Sequence, residues 1–150
     1  MLEFEKYTSN TDFNAISREE YVDFLHTHLG QYGDPKADIN KCLDYAFSTE
    51  KGEGGFGLAA FYQGQLVGAL VMNHTGMSGY IPDNILVYVT VDASYRGKGF
   101  GQQIIEKAFS LCKGDIKLHV EYDNPAKRLY ERIGFQSKYA EMRYTHKSNN

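Results

Sequence analysis

The segment Thr90-Val-Asp-Ala-Ser-Tyr-Arg-Gly-Lys-Gly-Phe-Gly-Gln-Gln103 interleaves three glycines, Gly97, Gly99 and Gly101, with two cations, Arg96 and Lys98. It follows a β-forming run and leads into helical spacing. The first turn of a helix leaves N–H groups without internal partners and carries the positive end of the helix dipole. Glycines there remove Cβ atoms, so a phosphate can approach the backbone. The chemistry this turn suits is therefore pyrophosphate binding. Spacing narrows the choice. A dinucleotide turn needs G-x-G-x-x-G, and the residue three places after Gly99 is Gln102. The other glycine-rich stretch, Thr49 to Gly57, lacks the Lys-Ser or Lys-Thr of a nucleoside-triphosphate loop and reads as a connection.

What remains is Arg96-x-x-Gly99-x-Gly101, which resembles the [QR]-x-x-G-x-[GA] signature of the GCN5-related N-acetyltransferase (GNAT) family. A second stretch, Asp123-Asn-Pro-Ala-Lys-Arg-Leu-Tyr-Glu-Arg-Ile-Gly-Phe135, resembles that family's N-x-x-A-x-x-[LF]-Y-x-x-x-G-F helix. It departs in one place: Asn124 stands six residues before Tyr130 rather than seven, and Asp123 occupies the family's register. The resemblance implies an acyl-CoA N-acyltransferase fold. It also implies acetyl-CoA as co-substrate, its diphosphate held by Arg96, Gly97, Lys98, Gly99, Phe100 and Gly101. The main chain of Val89, Thr90 and Val91 would hold the pantetheine amide and thioester carbonyl, and Asn124 would touch the pantetheine arm. Lys127, with Arg128 and Arg132, would reach the 3′-phosphate, though Arg132 reads equally as part of a solvated helix face. Tyr130 would protonate the departing thiolate, which a phenol with an ordinary pKa near ~10 can do. Read from the apolar stripe alone, without the motif, Tyr130 is a core residue with its hydroxyl satisfied. The base stays open: some relatives place a Glu where this chain has His119. A water relay ending at His119, Glu121 or a backbone carbonyl is the other route. The result is an N-acetyltransferase acting on a primary amine by direct transfer. The alternative is a non-catalytic acyl-CoA-binding module of the same fold.

The elements that must position these residues follow from periodicity. Leu2 to Tyr7 alternates like a half-buried strand. Ser17-Arg-Glu-Glu20 is a capping box that starts a helix running to Leu29. Asp34-Pro35 predicts a cap and a second helix, with Ile39, Cys42, Leu43, Ala46 and Phe47 on one stripe. Phe56–Tyr62 and Leu66–Asn73 predict a hairpin turning at Gln63-Gly64, and Asn84–Val91 is a further strand. Gly101–Cys112 and the segment opened by Asn124-Pro125 are helical, with strand Ile116–Glu121 between them. Phe135–Thr145 predicts one or two closing strands. The order β-α-α-β-β-β-α-β-α-β implies an α/β fold of the α+β type, a mixed, mainly antiparallel sheet with helices on both faces.

The chain has 150 residues and a net charge of −3, which predicts one domain over residues 1–150 and argues against a general nucleic-acid binder. The total conceals an asymmetry of −8 over residues 1–94 and +5 over residues 95–150. That split is either solvated surface or a division in which the second part holds an anionic ligand and the first faces a cationic acceptor. No apolar run approaches the ~20 residues of a membrane span. Cys42 and Cys112 stand alone, which predicts reduced thiols, core packing and a cytoplasmic protein. Among the remaining histidines, His26 and His28 fall on different helix faces, and His74 and His146 read as surface residues. No metal site is expected. The expected assembly is a monomer or homodimer.

Overall fold

The strand-forming runs lie side by side in chain order: β1 (Glu3–Tyr7), β2 (Gly55–Tyr62), β3 (Gln65–His74) and β4 (Asn84–Val91), each antiparallel to the last. A short β5 (Ile116–Leu118) adds parallel to β4 over Asn84–Leu86. The structure is a computed structural model and describes residues 1–147. Helices α1 (Arg18–Leu29) and α2 (Lys36–Ala46) cover one face of the sheet, α3 (Phe100–Leu111) and α4 (Ala126–Ile133) the other. The mixed, mainly antiparallel sheet with helices on both faces matches the expectation.

Because both faces are covered, β2 and β3 are buried along most of their length, and their sequences read as nearly continuous apolar runs. Period-two alternation sorts the side chains. Phe56, Leu58, Ala60, Leu70 and Met72 meet α3, while Ala59, Phe61, Ala69 and Val71 meet α1 and α2. The turn at Gln63-Gly64 has positive φ at both residues, +51° and +79°, which suits the twist of a two-residue hairpin. The capping box forms as expected: Ser17 Oγ accepts from the Glu20 N–H at 3.0 Å and Glu20 Oε1 from the Ser17 N–H at 3.0 Å.

Three expectations need correction. Residues 135–147 contain no strand, and Tyr139, Met142 and Tyr144 are exposed. Alternation specifies a strand only where a partner edge and a buried face are supplied, and here neither is. The fifth strand stops at Leu118 rather than Glu121, because its partner β4 diverges after Leu86. The cap of α2 is Pro35 rather than Asp34, whose carboxylate instead accepts a 2.6 Å hydrogen bond from the Tyr88 phenol. That phenol lies on a buried residue and would otherwise lack a partner.

Tyr21 ties the first helical layer to the sheet. Its hydroxyl donates to the Leu70 carbonyl and accepts from the Leu58 N–H, entering the β2–β3 ladder beside Gly57. A Cβ at Gly57 would stand 2.9 Å from that oxygen, so the glycine makes the room. Tyr21→Phe removes both of these bonds and is expected to cost about 1–3 kcal/mol. Denaturant unfolding of the two proteins measures it, and a difference within error would remove this bridge from the account.

Candidate active site

The site begins with an irregularity in β4. Val71 pairs with Tyr88 and Met72 with Leu86, so Val87 is an extra residue, a β-bulge. Before it, Leu86 packs with α3; after it, Tyr88 lies on the α1 and α2 side and Val89 and Val91 on the α3 and α4 side. Pairing with β5 ends at Leu86–Leu118. Past that rung, among the described residues, no strand pairs with β4 on its β5 side, and the sheet opens at Val89, Thr90 and Val91. Two of these are partly committed. The Thr90 hydroxyl donates to the His28 carbonyl at 3.0 Å, and the Val91 carbonyl accepts from Arg96 Nε at 3.1 Å.

The glycine turn follows directly. Asp92 Oδ1 accepts from the Ser94 N–H at 2.9 Å and from Ser94 Oγ at 2.7 Å, bonds that hold its carboxyl below the usual range. Gly97 and Gly99 both have φ +81°, a left-handed conformation, and nothing lies within 4 Å of where a Cβ would stand at either. No side chain caps α3, so its first N–H groups are without a side-chain partner. Lys98 is exposed beside them. Gly101 serves a different purpose: a Cβ there would lie 3.0 Å from Leu129 Cδ2, so this glycine seats α4 against α3. Phe100 is buried, its ring against Tyr62 and Tyr95, and has only its backbone to offer a ligand.

Tyr130 projects from α4 into the same cluster as Val89, Val91 and Leu118 and is 8% exposed. Among the described residues its hydroxyl has no hydrogen-bond partner, nor is it sealed from solvent. Burial first, then the charge of Glu121, pushes its pKa up to about 12, so the phenol keeps its proton at neutral pH. His119 lies one residue past the end of β5 and is exposed. The Asn124 carboxamide oxygen accepts from the Ala126 N–H at 2.9 Å, capping the start of α4. Lys127 pairs with Glu131 at 3.1 Å along the same helix, and Arg128 and Arg132 are exposed.

Sequence reasoning passed over two groups that the fold brings to this place. His28, at the end of α1, contacts β4 and the glycine turn through both its ring and its carbonyl. Asp34, between α1 and α2, brings to β4 a carboxylate that the strand itself lacks. Neither had a local signal, since both contacts span more than fifty residues. His74, expected on the surface, is half-buried and its Nδ1 lies 2.9 Å from Asn84 Oδ1. Among the described residues no three His, Cys, Asp or Glu side chains are placed to hold a metal ion, and no helix is long and apolar enough to cross a membrane.

Both cysteines are free thiols, half-buried, and burial raises both, Cys42 to about 12. At pH 8 the Cys42 thiolate should then be about a thousandfold scarcer than in a free thiol of pKa near ~8.5–9. Native alkylation by iodoacetamide, read by mass spectrometry, should be slower by about that factor at Cys42; labelling at the rate of a free thiol would contradict the burial argument.

With this geometry in place, comparison with known proteins is specific about the family and silent about the acceptor. The sequence matches the acetyltransferase (GNAT) family over residues 13–135. No curated protein matches it significantly. The fold is similar to that of an aminoglycoside N-acetyltransferase, AAC(6′)-Iy, solved in complex with CoA: TM-score 0.68, 13% identity, 99% of this chain and 96% of that one covered. It is equally similar to AAC(6′)-IG, an aminoglycoside antibiotic 6′-N-acetyltransferase from Acinetobacter haemolyticus, with TM-score 0.68, 13% identity and coverage of 98% and 99%. A ribosomal-protein-alanine N-acetyltransferase from Brucella melitensis biovar Abortus 2308 follows, with TM-score 0.63, 15% identity and coverage of 97% and 100%. At these identities the structural likeness speaks for the fold. The family match spans most of the chain, and it includes the glycine turn, the opened end of β4 and the helix that carries Tyr130: the chain belongs to the GNAT acetyltransferase family.

Proposed function

We propose that this protein moves an acetyl group from acetyl-CoA to a primary amine of a small molecule or peptide, by direct transfer and without an acetyl-enzyme. The observation that carries the reading is Tyr130, a buried, protonated phenol without a hydrogen-bond partner among the described residues, clustered with Val89 and Val91 at the opened end of β4. The residues present fit the donor. Gly97 and Gly99 keep the approach clear, the free N–H groups of α3 face the diphosphate, and Lys98 adds charge. Val89 and its neighbours in the opened strand offer main-chain groups to the pantetheine amide and the thioester carbonyl. Acetyl-CoA supplies an activated acyl group; the chain holds it, excludes water and moves protons.

Two proton movements are needed, one onto the departing thiolate and one away from the amine. Tyr130 serves the first, since a hydroxyl that keeps its proton through neutrality can donate it late. For the second, exposed His119 takes the proton through a water relay or directly. Asp34, held on Tyr88, is a further terminus on the opposite side of the sheet. Direct transfer is supported by the thiols, since raised pKa values at Cys42 and Cys112 disfavour the thiolate a covalent route would use. The free cysteines fit a cytoplasmic setting. The surplus of acid in residues 1–94, which build α1 and α2, favours a cationic amine.

Release of CoA thiol across a panel of amines tests the reaction. Acetyl-CoA binding without thiol release for any acceptor would instead support a non-catalytic acyl-CoA-binding module. Tyr130→Phe is expected to lower kcat by roughly 100-fold and leave acetyl-CoA affinity within about 2-fold; unchanged kcat removes Tyr130 from the acid role. Gly99→Val places a β-branched residue at φ +81° and is expected to weaken CoA binding by about 10-fold or more. Calorimetric titration with CoA reads this, and undiminished affinity would exclude the turn as the diphosphate cradle.

A further inference from the structure

Arg96 is the cation of the glycine-turn signature, yet its guanidinium is already engaged by two main-chain carbonyls. Nε donates to Val91 at 3.1 Å and Nη2 to His28 at 2.8 Å. The His28 carbonyl takes a second bond from Thr90 Oγ1 at 3.0 Å. The ring of the same residue is committed too: Nδ1 accepts from the Ala93 N–H at 3.3 Å, and Nε2 lies 3.6 Å from Asp92 Oδ2. Phe24, one turn back on α1, packs against the imidazole with ring centroids 4.5 Å apart. One residue at the end of the first helix thus grips Thr90, Ala93 and Arg96, the stretch that leads into Gly97 and Gly99. The His28 side chain is 19% exposed and lies on the α1 side of the sheet, away from α3 and α4.

We propose that His28 is a positioning residue of the donor site, fixing the Asp92–Arg96 turn, and through it the Gly97–Gly99 amides, from the acceptor-side helix. Arg96 on this reading is a brace between α1 and β4 rather than a phosphate ligand. Both statements rest on the donor-site assignment above and go beyond it in naming what holds the turn. Nδ1 can accept the Ala93 N–H only while it carries no proton, so the tautomer protonated at Nε2 is the one that fits, with its N–H toward Asp92. Asparagine offers an amide oxygen near the Nδ1 position; alanine offers no acceptor there.

The test uses the whole chain with CoA as the binding probe and the amine identified by the thiol-release screen as acceptor. His28→Ala is expected to weaken CoA binding about 5-fold, the loss of one hydrogen bond's worth of ordering, with KM for the amine unchanged. His28→Asn should restore most of that affinity. A general loss of packing would move both substrates and would not be rescued by asparagine, so equal effects on donor and acceptor overturn the proposal. So does His28→Ala binding CoA as well as the unsubstituted protein. If the unsubstituted protein itself fails to bind CoA, the donor-site assignment falls first and this proposal with it. Should His28→Ala not fold, the comparison of His28→Asn with His28→Gln remains. Glutamine places its amide one carbon farther out, and CoA affinity equal in those two variants would also overturn the proposal.

Discussion

One extra residue in a strand organises the site. Without the bulge at Val87, strict alternation from Leu86 would carry Tyr88 and Thr90 onto the α3 and α4 face. With it, both turn toward α1 and α2, where Tyr88 holds Asp34 and Thr90 holds the His28 carbonyl. Val89 and Val91 then fall on the side of Tyr130 and the glycine turn. The same stretch is where β4 leaves β5, so the bulge and the opening together make a place where two different layers of the protein reach one strand. A bulge bends and twists its strand locally, which is the physical reason that parallel pairing with β5 does not continue.

The two layers divide the chemistry. On one side, α3 and α4 present a helix N-terminus without a side-chain cap and a protonated phenol, the features proposed to serve a diphosphate and a departing thiolate. On the other, α1 and α2 supply acidic groups and the histidine that steadies the turn. The charge asymmetry along the chain follows this division only in part, since α1 and α2 carry a net −2 and α3 and α4 a net +2, and the rest lies in strands and loops. Gly101 shows how closely the donor layer is packed. It belongs to the signature, but its missing Cβ makes room for Leu129 rather than for a phosphate, so three glycines in one motif serve two ends.

Much of this was legible beforehand where the signal is local. The capping box at Ser17 and Glu20 and the hairpin turn at Gln63-Gly64 depend on contacts between near neighbours, and each appears where expected. The closing strands at Phe135–Thr145 did not appear, because a strand's hydrogen bonds come from another part of the chain. Asp34 was misassigned for a related reason. A carboxylate before a proline is a good cap in isolation, but a buried phenol fifty-four residues away competes for it and wins.

From sequence alone, the spacing of glycines and cations pointed to pyrophosphate binding, and two motifs identified the family, because helix termini and close backbone approach leave a fixed residue pattern. Tertiary structure alone decided what each of those residues is free to do. Arg96 is spent on carbonyls, Asn124 on the start of a helix and Lys127 on Glu131, while the Tyr130 hydroxyl has no partner among the described residues. Hydrogen-bonding capacity is finite, and which partner claims it depends on distances between elements that no local pattern encodes.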